Sequence, residues 1–200
     1  AYMNPYHYVL YHQASGYLAM AKEKDKLLQG IIVVSKNSDM YDLEDLQKVE
    51  MAFPAPASFA ATIIPLAHLA KMNIRTKEPF VYSHDSVYLN VAKGFFNAGG
   101  GVMRTLKTTP AEVQDKLRIV WKSEGFTPHA IASHPRVSDE MREKLLSALE
   151  RLQKDDTFMQ LLGKLNLNPF VRAQANDWDS IRDLHIIGVT GHIAPPMQVN

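Results

Sequence analysis

Two hundred residues, 46% apolar and 22% charged, suffice for one sizeable core or two small lobes and are too apolar for a disordered chain. Twenty-two basic against twenty-one acidic side chains leave a formal charge of +1, and no Lys/Arg run exceeds two residues, which argues against nucleic acid or an anionic membrane surface as partner. The absence of cysteine excludes disulfides, thiolate catalysis and Cys-based zinc sites, and no run approaches the roughly 18 apolar residues of a membrane span.

Gly30-Ile31-Ile32-Val33-Val34 is a β-branched run bounded by polar residues and predicts a strand buried on both faces. Asp42 to Leu46 predicts a short helical turn and Met51-Ala52-Phe53 a strand. Ser58 to Met72 reads as a helix with apolar residues at 63, 66, 67 and 70, kinked by the internal Pro65. Phe80-Val81-Tyr82 is the next expected strand, followed by a helix from Asp85 to Lys93 with Val87, Tyr88, Val91 and Ala92 on one face and Gly94 as its stop. Ala98 to Met103 predicts a further strand, and Thr109-Pro110-Ala111-Glu112 a capping box with proline at the first helical position. Arg118 to Trp121 and Ala130 to Ala132 follow as strands. Ser138 caps a helix carrying Met141, Leu145, Ala148 and Leu152 on one stripe, and Asp156 to Leu165 is a shorter helix. This alternation predicts an α/β fold with parallel sheets flanked by helices on both faces.

In open α/β sheets ligands bind outside the carboxyl ends of strands, which singles out the turns Phe53 to Ser58 and Tyr82 to Asp85. Ser58 stands as the N-cap of a helix whose first turn has up to four backbone N–H groups without intrahelical partners, enough with the helix dipole to hold a phosphate, phosphonate or carboxylate. A serine there also serves as a plain cap, and His84 beside Asp85 reads either as a ligand contact or as a cap pair. Tyr6, Tyr8 and Tyr11, at near-helical spacing, read first as core. Gly99-Gly100-Gly101 lacks the Gly-Lys-Ser/Thr ending of a phosphate loop and fits close packing. His7 and His12 do not share a helix face, and no His/Asp/Glu group has metal-ligand spacing. Ser58 and Ser83 sit in no Gly-x-Ser-x-Gly elbow, so neither a catalytic group nor a cofactor is expected.

Six segments in order resemble the phosphate/phosphite/phosphonate-binding family of ABC-transporter substrate-binding proteins, within the type II periplasmic-binding-protein fold. Asn4-Pro5-Tyr6-His7-Tyr8-Val9-Leu10 resembles the family's Gly-Pro-x-x-Tyr segment, Gly30 to Val34 its Ser-Val-Ile-Val-Val strand, and Pro56 to Pro65 its Pro-x-Ser-Thr-Ser-Gly-x-x-x-Pro helix start. Tyr82-Ser83-His84-Asp85 is similar to its Gly-Ser-His-Asp turn, Asn97-Ala98-Gly99 to its Asp-Ala-Gly strand, and Asn176 to Leu184 to its closing Tyr-Asp-Pro-Val-Arg-Glu-Leu.

The resemblance implies two lobes: residues 1–40 and 126–185 in the first, the latter stretch including the C-terminal helices, and 41–125 in the second, with 186–200 an unassigned tail. Family members place a strand, helix, strand and helix before the Gly-Pro-x-x-Tyr segment, so an N-terminally incomplete first lobe lacking those strands is expected, and any export signal is expected to have been removed. The implied ligand contacts are Ser58, Phe59 and Ala60 at the helix start, His84, and Tyr8 of the first lobe. Phe59, Ala60 and Ala61 stand where the family has Thr, Ser and Gly, removing two hydroxyl donors, and Val102 stands where some members carry an acid for a ligand ammonium, with Arg104 nearby. The implied function is non-catalytic: a periplasmic or otherwise extracytoplasmic protein closes its lobes on a small oxyanion and hands it to an ABC-transporter permease. A ligand-sensing domain of a membrane kinase or cyclase is the alternative use of the fold, and an enzyme a third, for which no residue stands as a catalytic group.

Overall fold

The computed structural model describes residues 1–184, so the tail at 186–200 lies outside the described residues. In chain order the elements are β1 (Tyr2–Met3), α1 (Pro5–Ser15), β2 (Leu18–Glu23), β3 (Gly30–Ser35), β4 (Met51–Ala52), α2 (Ile64–Lys71), α3 (His84–Ala92), β5 (Ala98–Val102), α4 (Met103–Thr108), α5 (Ala111–Gln114), β6 (Leu117–Lys122), β7 (Ala130–Ser133), α6 (Asp139–Leu152), α7 (Asp156–Lys164), β8 (Phe170–Arg172) and α8 (Asp179–Arg182). They form two units, one from Ala1–Leu27 with 126–184 and one from Leu28–Gly125. The unit boundary therefore falls between 27 and 28 rather than after 40. β3 belongs to the second unit because both of its ladders run to strands of that unit, β5 and β6.

In the first unit the strand order is β1-β7-β2-β8, and every neighbouring pair is antiparallel. The parallel sheet expected from strand–helix alternation does not form here. Its strands pair across a gap that contains the whole second unit, so no helical crossover sets their direction. α1 begins where Asn4 accepts the His7 N–H at 2.9 Å and ends at Gly16, whose φ of 67° is the left-handed stop open to glycine. Trp178 is fully buried, its indole N–H donating to the Pro128 carbonyl at 2.9 Å. Ser138 caps α6 as expected, accepting the Met141 N–H. The apolar stripe of this helix is not buried: Met141, Leu145 and Leu152 stay 48%, 50% and 49% exposed, and Leu146 alone on this helix is buried. Leu145, Leu149 and Leu152 line an apolar groove of about 560 Å³ with Met20 and Ile131.

In the second unit the order is β4-β5-β3-β6. β4 runs parallel to β5, and Phe53 bridges Phe80 in parallel, so alternation does predict direction where helices link consecutive strands. β3 lies antiparallel to both neighbours. Its β-branched run is buried on both faces. Ile32 and Val34 pack with Leu46, Phe53, Leu66 and Leu69, while Ile31 and Val33 pack with Tyr88, Val91 and Leu106 on the other side. The strand expected at 80–82 reduces to the single bridge at Phe80, since Pro79 has no N–H for the ladder and the chain turns left-handed at Tyr82. The capping box expected at 109–112 is also absent. Pro110 is the N-cap of α5, and the Thr109 hydroxyl donates back to the Thr105 carbonyl.

The helix expected from Ser58 begins as a five-residue π turn, Phe59–Ile63, and continues as α2 with Pro65 in its first turn. Ile63 and Ile64 donate to Ser58 and Phe59, five residues back. Residue 65 would normally donate to the Ala61 carbonyl, but proline has no N–H, so the break expected at Pro65 takes the form of a wider turn. The carbonyls of Ala60 and Ala61 instead lie against the sheet, where a Cβ on Gly30 or Gly100 would sit 2.2 or 2.1 Å from them. The glycine run 99–101 is thus a packing device. Replacing Gly100 with alanine, whose Cβ would also fall 2.5 Å from the Phe53 ring, is expected to destabilise the protein by ~1–3 kcal/mol in urea unfolding.

Candidate functional site

Two turns leave the same edge of the second unit's sheet. Phe53 donates to the Pro79 carbonyl at 2.9 Å and accepts from the Val81 N–H at 2.9 Å, so the parallel pair ends together and both chains then turn off the sheet. The first turn reaches Ser58 and the π-helical entrance. The second reaches Ser83 and α3. Because β4 is also parallel to β5, the end of β5 at Gly101 and Val102 lies on that edge too. Three carboxyl ends of strands thereby converge on the helix starts, the placement at which α/β sheets hold ligands.

Ser58 occupies the N-cap position with extended backbone, but its hydroxyl makes no capping bond. Its carbonyl carries the helix instead, accepting from Thr62 at 2.9 Å and Ile63 at 3.1 Å. The loop before it is tied down by the Thr62 hydroxyl, which donates to the Ala55 carbonyl at 2.8 Å. The side chains of Phe59 and Ala60 are buried, only 2% and 4% exposed, so neither ring nor methyl is turned outward, while Ser58 is half-buried.

His84 is the first residue of α3, and the cap is Ser83, which accepts the Ser86 N–H at 3.0 Å. The cap-pair reading of His84 and Asp85 therefore gives way to a serine cap. The imidazole is left with its Nδ1 atom buried and, among the described residues, without a hydrogen-bond partner. Burial pushes His84 below the ordinary histidine range, against the weaker upward pull of Asp85. A neutral ring near neutral pH carries one N–H and one lone pair, either of which suits a polar guest.

Tyr8 stands elsewhere, within the first unit. It has no exposed surface, its ring packs 4.6 Å from Trp178, and its hydroxyl is buried near the Ala19 backbone and Arg182. Burial raises its phenol, and the Ala19 backbone and then Arg182 oppose that rise. In this structure it is a core aromatic of its unit rather than a group presented to a guest. Val102, the position where some relatives carry an acid, is tied to Tyr88: the phenol oxygen accepts the Val102 N–H at 2.9 Å and contacts its carbonyl at 3.0 Å.

One residue at this edge escapes a reading by residue type. Tyr82 has φ of +67°, a left-handed conformation that costs a residue with a Cβ about 1–2 kcal/mol, yet it is 91% exposed. The only signal in the sequence is that Tyr82 stands where the resembled turn has glycine.

A model of the ABC transporter, phosphonate, periplasmic substrate-binding protein family matches residues 1–178. The chain belongs to that family. Solved structures of the same fold include the Xanthomonas citri protein XAC2383 bound to chloride ion, 13% identical with TM-score 0.81, covering 96% of this chain and 78% of that one. PhnD1 from Prochlorococcus marinus in complex with methylphosphonate is 18% identical with TM-score 0.77, covering 92% and 75%. A binding protein component of an ABC phosphonate transporter from Pseudomonas aeruginosa is 17% identical with TM-score 0.72, covering 91% and 68%. The family is one of periplasmic solute-binding transport proteins with a two-lobed α/β fold, and among the described residues of this member no helix is long and apolar enough to cross a membrane.

The depressed His84 sets a pH dependence for this phosphonate-binding family member. The unfolded chain takes up the imidazole proton near the ordinary value of 6.5, before the folded chain does, so stability falls as pH drops through and below 6.5. Urea midpoints across that range should decline less steeply in His84→Gln than in the parent protein.

Proposed function

We propose that the chain captures a small oxyanion, phosphonate or phosphate in type, at the edge formed by Ser58 to Ala61 and His84, and delivers it on the extracytoplasmic side to an ABC-transporter permease. The observation that carries this reading is the pairing of a helix entrance whose N-cap Ser58 hydroxyl makes no capping bond with the His84 Nδ1, buried and without a partner among the described residues, at the ends of adjacent parallel strands. First-turn amides and the positive end of the helix dipole supply donors aimed at negative charge, and the Ser58 hydroxyl adds one more. An imidazole proton supplies a charge-assisted bond once an anion has docked. The methylphosphonate held by PhnD1 and the chloride held by XAC2383 support an anionic guest for this fold. The role is capture, with no bond made or broken.

Alanine at position 60 removes one hydroxyl that the family's helix start carries. A hydrogen bond to a charged group contributes about 1.5–3 kcal/mol, or roughly tenfold to more than hundredfold in affinity. Calorimetry with phosphate, phosphite, methylphosphonate and acetate is the test. Ser58→Ala should weaken phosphonate or phosphate binding by about tenfold or more. Absence of heat with every oxyanion overturns the proposal. Binding should also take up a fraction of a proton, because the bound anion raises the depressed His84, so affinity rises as the solution is acidified toward 6.5. Titrations in buffers of different ionisation enthalpy measure that uptake, which His84→Gln should reduce to the part carried by the ligand's own phosphoryl oxygens.

A further inference from the structure

Tyr82 combines three properties that do not serve the fold. Its backbone lies in the left-handed region at φ +67°, its ring is 91% exposed, and no hydrogen bond or ring contact of its side chain stabilises that position among the described residues. Glycine adopts such a backbone without steric cost, so a tyrosine here lowers stability and recovers nothing by burial. It stands two residues before His84 and one before the Ser83 cap, at the end of the segment that pairs with Phe53. The strain is thus located at the rim of the proposed anion site, where backbone strain in folded proteins tends to be functional.

We infer that Tyr82 is a specificity-determining residue, whose ring covers the organic substituent of a bound oxyanion and favours an apolar or aromatic substituent. The inference rests on the oxyanion reading of the same edge. The chemistry around Tyr82 favours an apolar substituent over an ammonium. The neighbouring strand end offers Val102 in place of a carboxylate, and Asp85 lies in the first turn of α3, where its charge faces the helix dipole. A phenol ring laid over an alkyl or aryl group removes apolar surface from water, whereas inorganic phosphate offers it nothing to cover.

The test compares the parent protein with Tyr82→Gly and Tyr82→Asn, both of which tolerate the left-handed backbone, using phosphate, methylphosphonate, 2-aminoethylphosphonate and phenylphosphonate in calorimetry. The inference expects both variants to lose roughly fivefold or more in affinity for phenylphosphonate while phosphate changes less than twofold, an amount that burial of part of one ring supports. It also expects Tyr82→Gly to melt higher than the parent. Equal losses for all four ligands, no loss for any, or a larger loss for 2-aminoethylphosphonate than for phenylphosphonate overturns the specificity role while leaving the oxyanion site standing. A lower melting temperature in both variants overturns the claim that the tyrosine is held at a cost to the fold. If the parent binds none of the four, the oxyanion reading falls and this inference with it.

Discussion

The approach of one helical turn to bare sheet governs the second unit. The Ala60 and Ala61 carbonyls reach so close to Gly30 and Gly100 that no Cβ fits between them. The helix entrance is drawn by that contact onto the sheet at the point where the strand ending in Phe53 stops. The π turn and Pro65 belong to the same condition. A widened turn releases two carbonyls from the α ladder, and a proline four residues on has no N–H to call them back. Move either glycine or the proline and the amides of the first turn no longer stand at the carboxyl edge.

The polarity of that edge comes from dipoles and neutral groups rather than from formal charge. The site proposed there combines backbone donors, one serine hydroxyl and an imidazole that burial keeps neutral, in keeping with a net charge of only +1. The third strand end is closed to this chemistry, because the Tyr88 phenol already engages both backbone polar groups of Val102 and touches Thr105. The proposed site therefore draws on the two turns that follow Phe53 and Phe80.

Legibility followed the range of each interaction. The buried character of Ile31 to Val34 is written in a continuous β-branched run, and the caps at Ser138 and the stop at Gly94 are local chemistry. Strand direction was legible only between residues 49 and 102, where helices join neighbouring strands. It was not legible in the first unit, whose ladders join segments on either side of the second unit. The apolar stripe of α6 predicts a buried face, yet periodicity states what a helix could bury and not what lies opposite. Ser58 and His84 stood out as candidates because a cap serine and a strand-end histidine carry a donor or acceptor by residue type. Tyr82 was not, because its strain is a property of φ and not of the side chain.

By itself, then, the order of residues determined the family, the serine start of α6 and the doubly buried strand, and singled out two turns as ligand candidates, since each depends on neighbours within a few positions. Only the tertiary structure decided that β3 joins the second unit, that Tyr8 is enclosed beside Trp178, that Phe59 and Ala60 are buried at the helix entrance, and that Tyr82 is held left-handed and bare. Those outcomes depend on which distant segments share a ladder and on which atoms fill a given volume. Such choices are made by packing among the whole set of side chains, and no short window of sequence contains them.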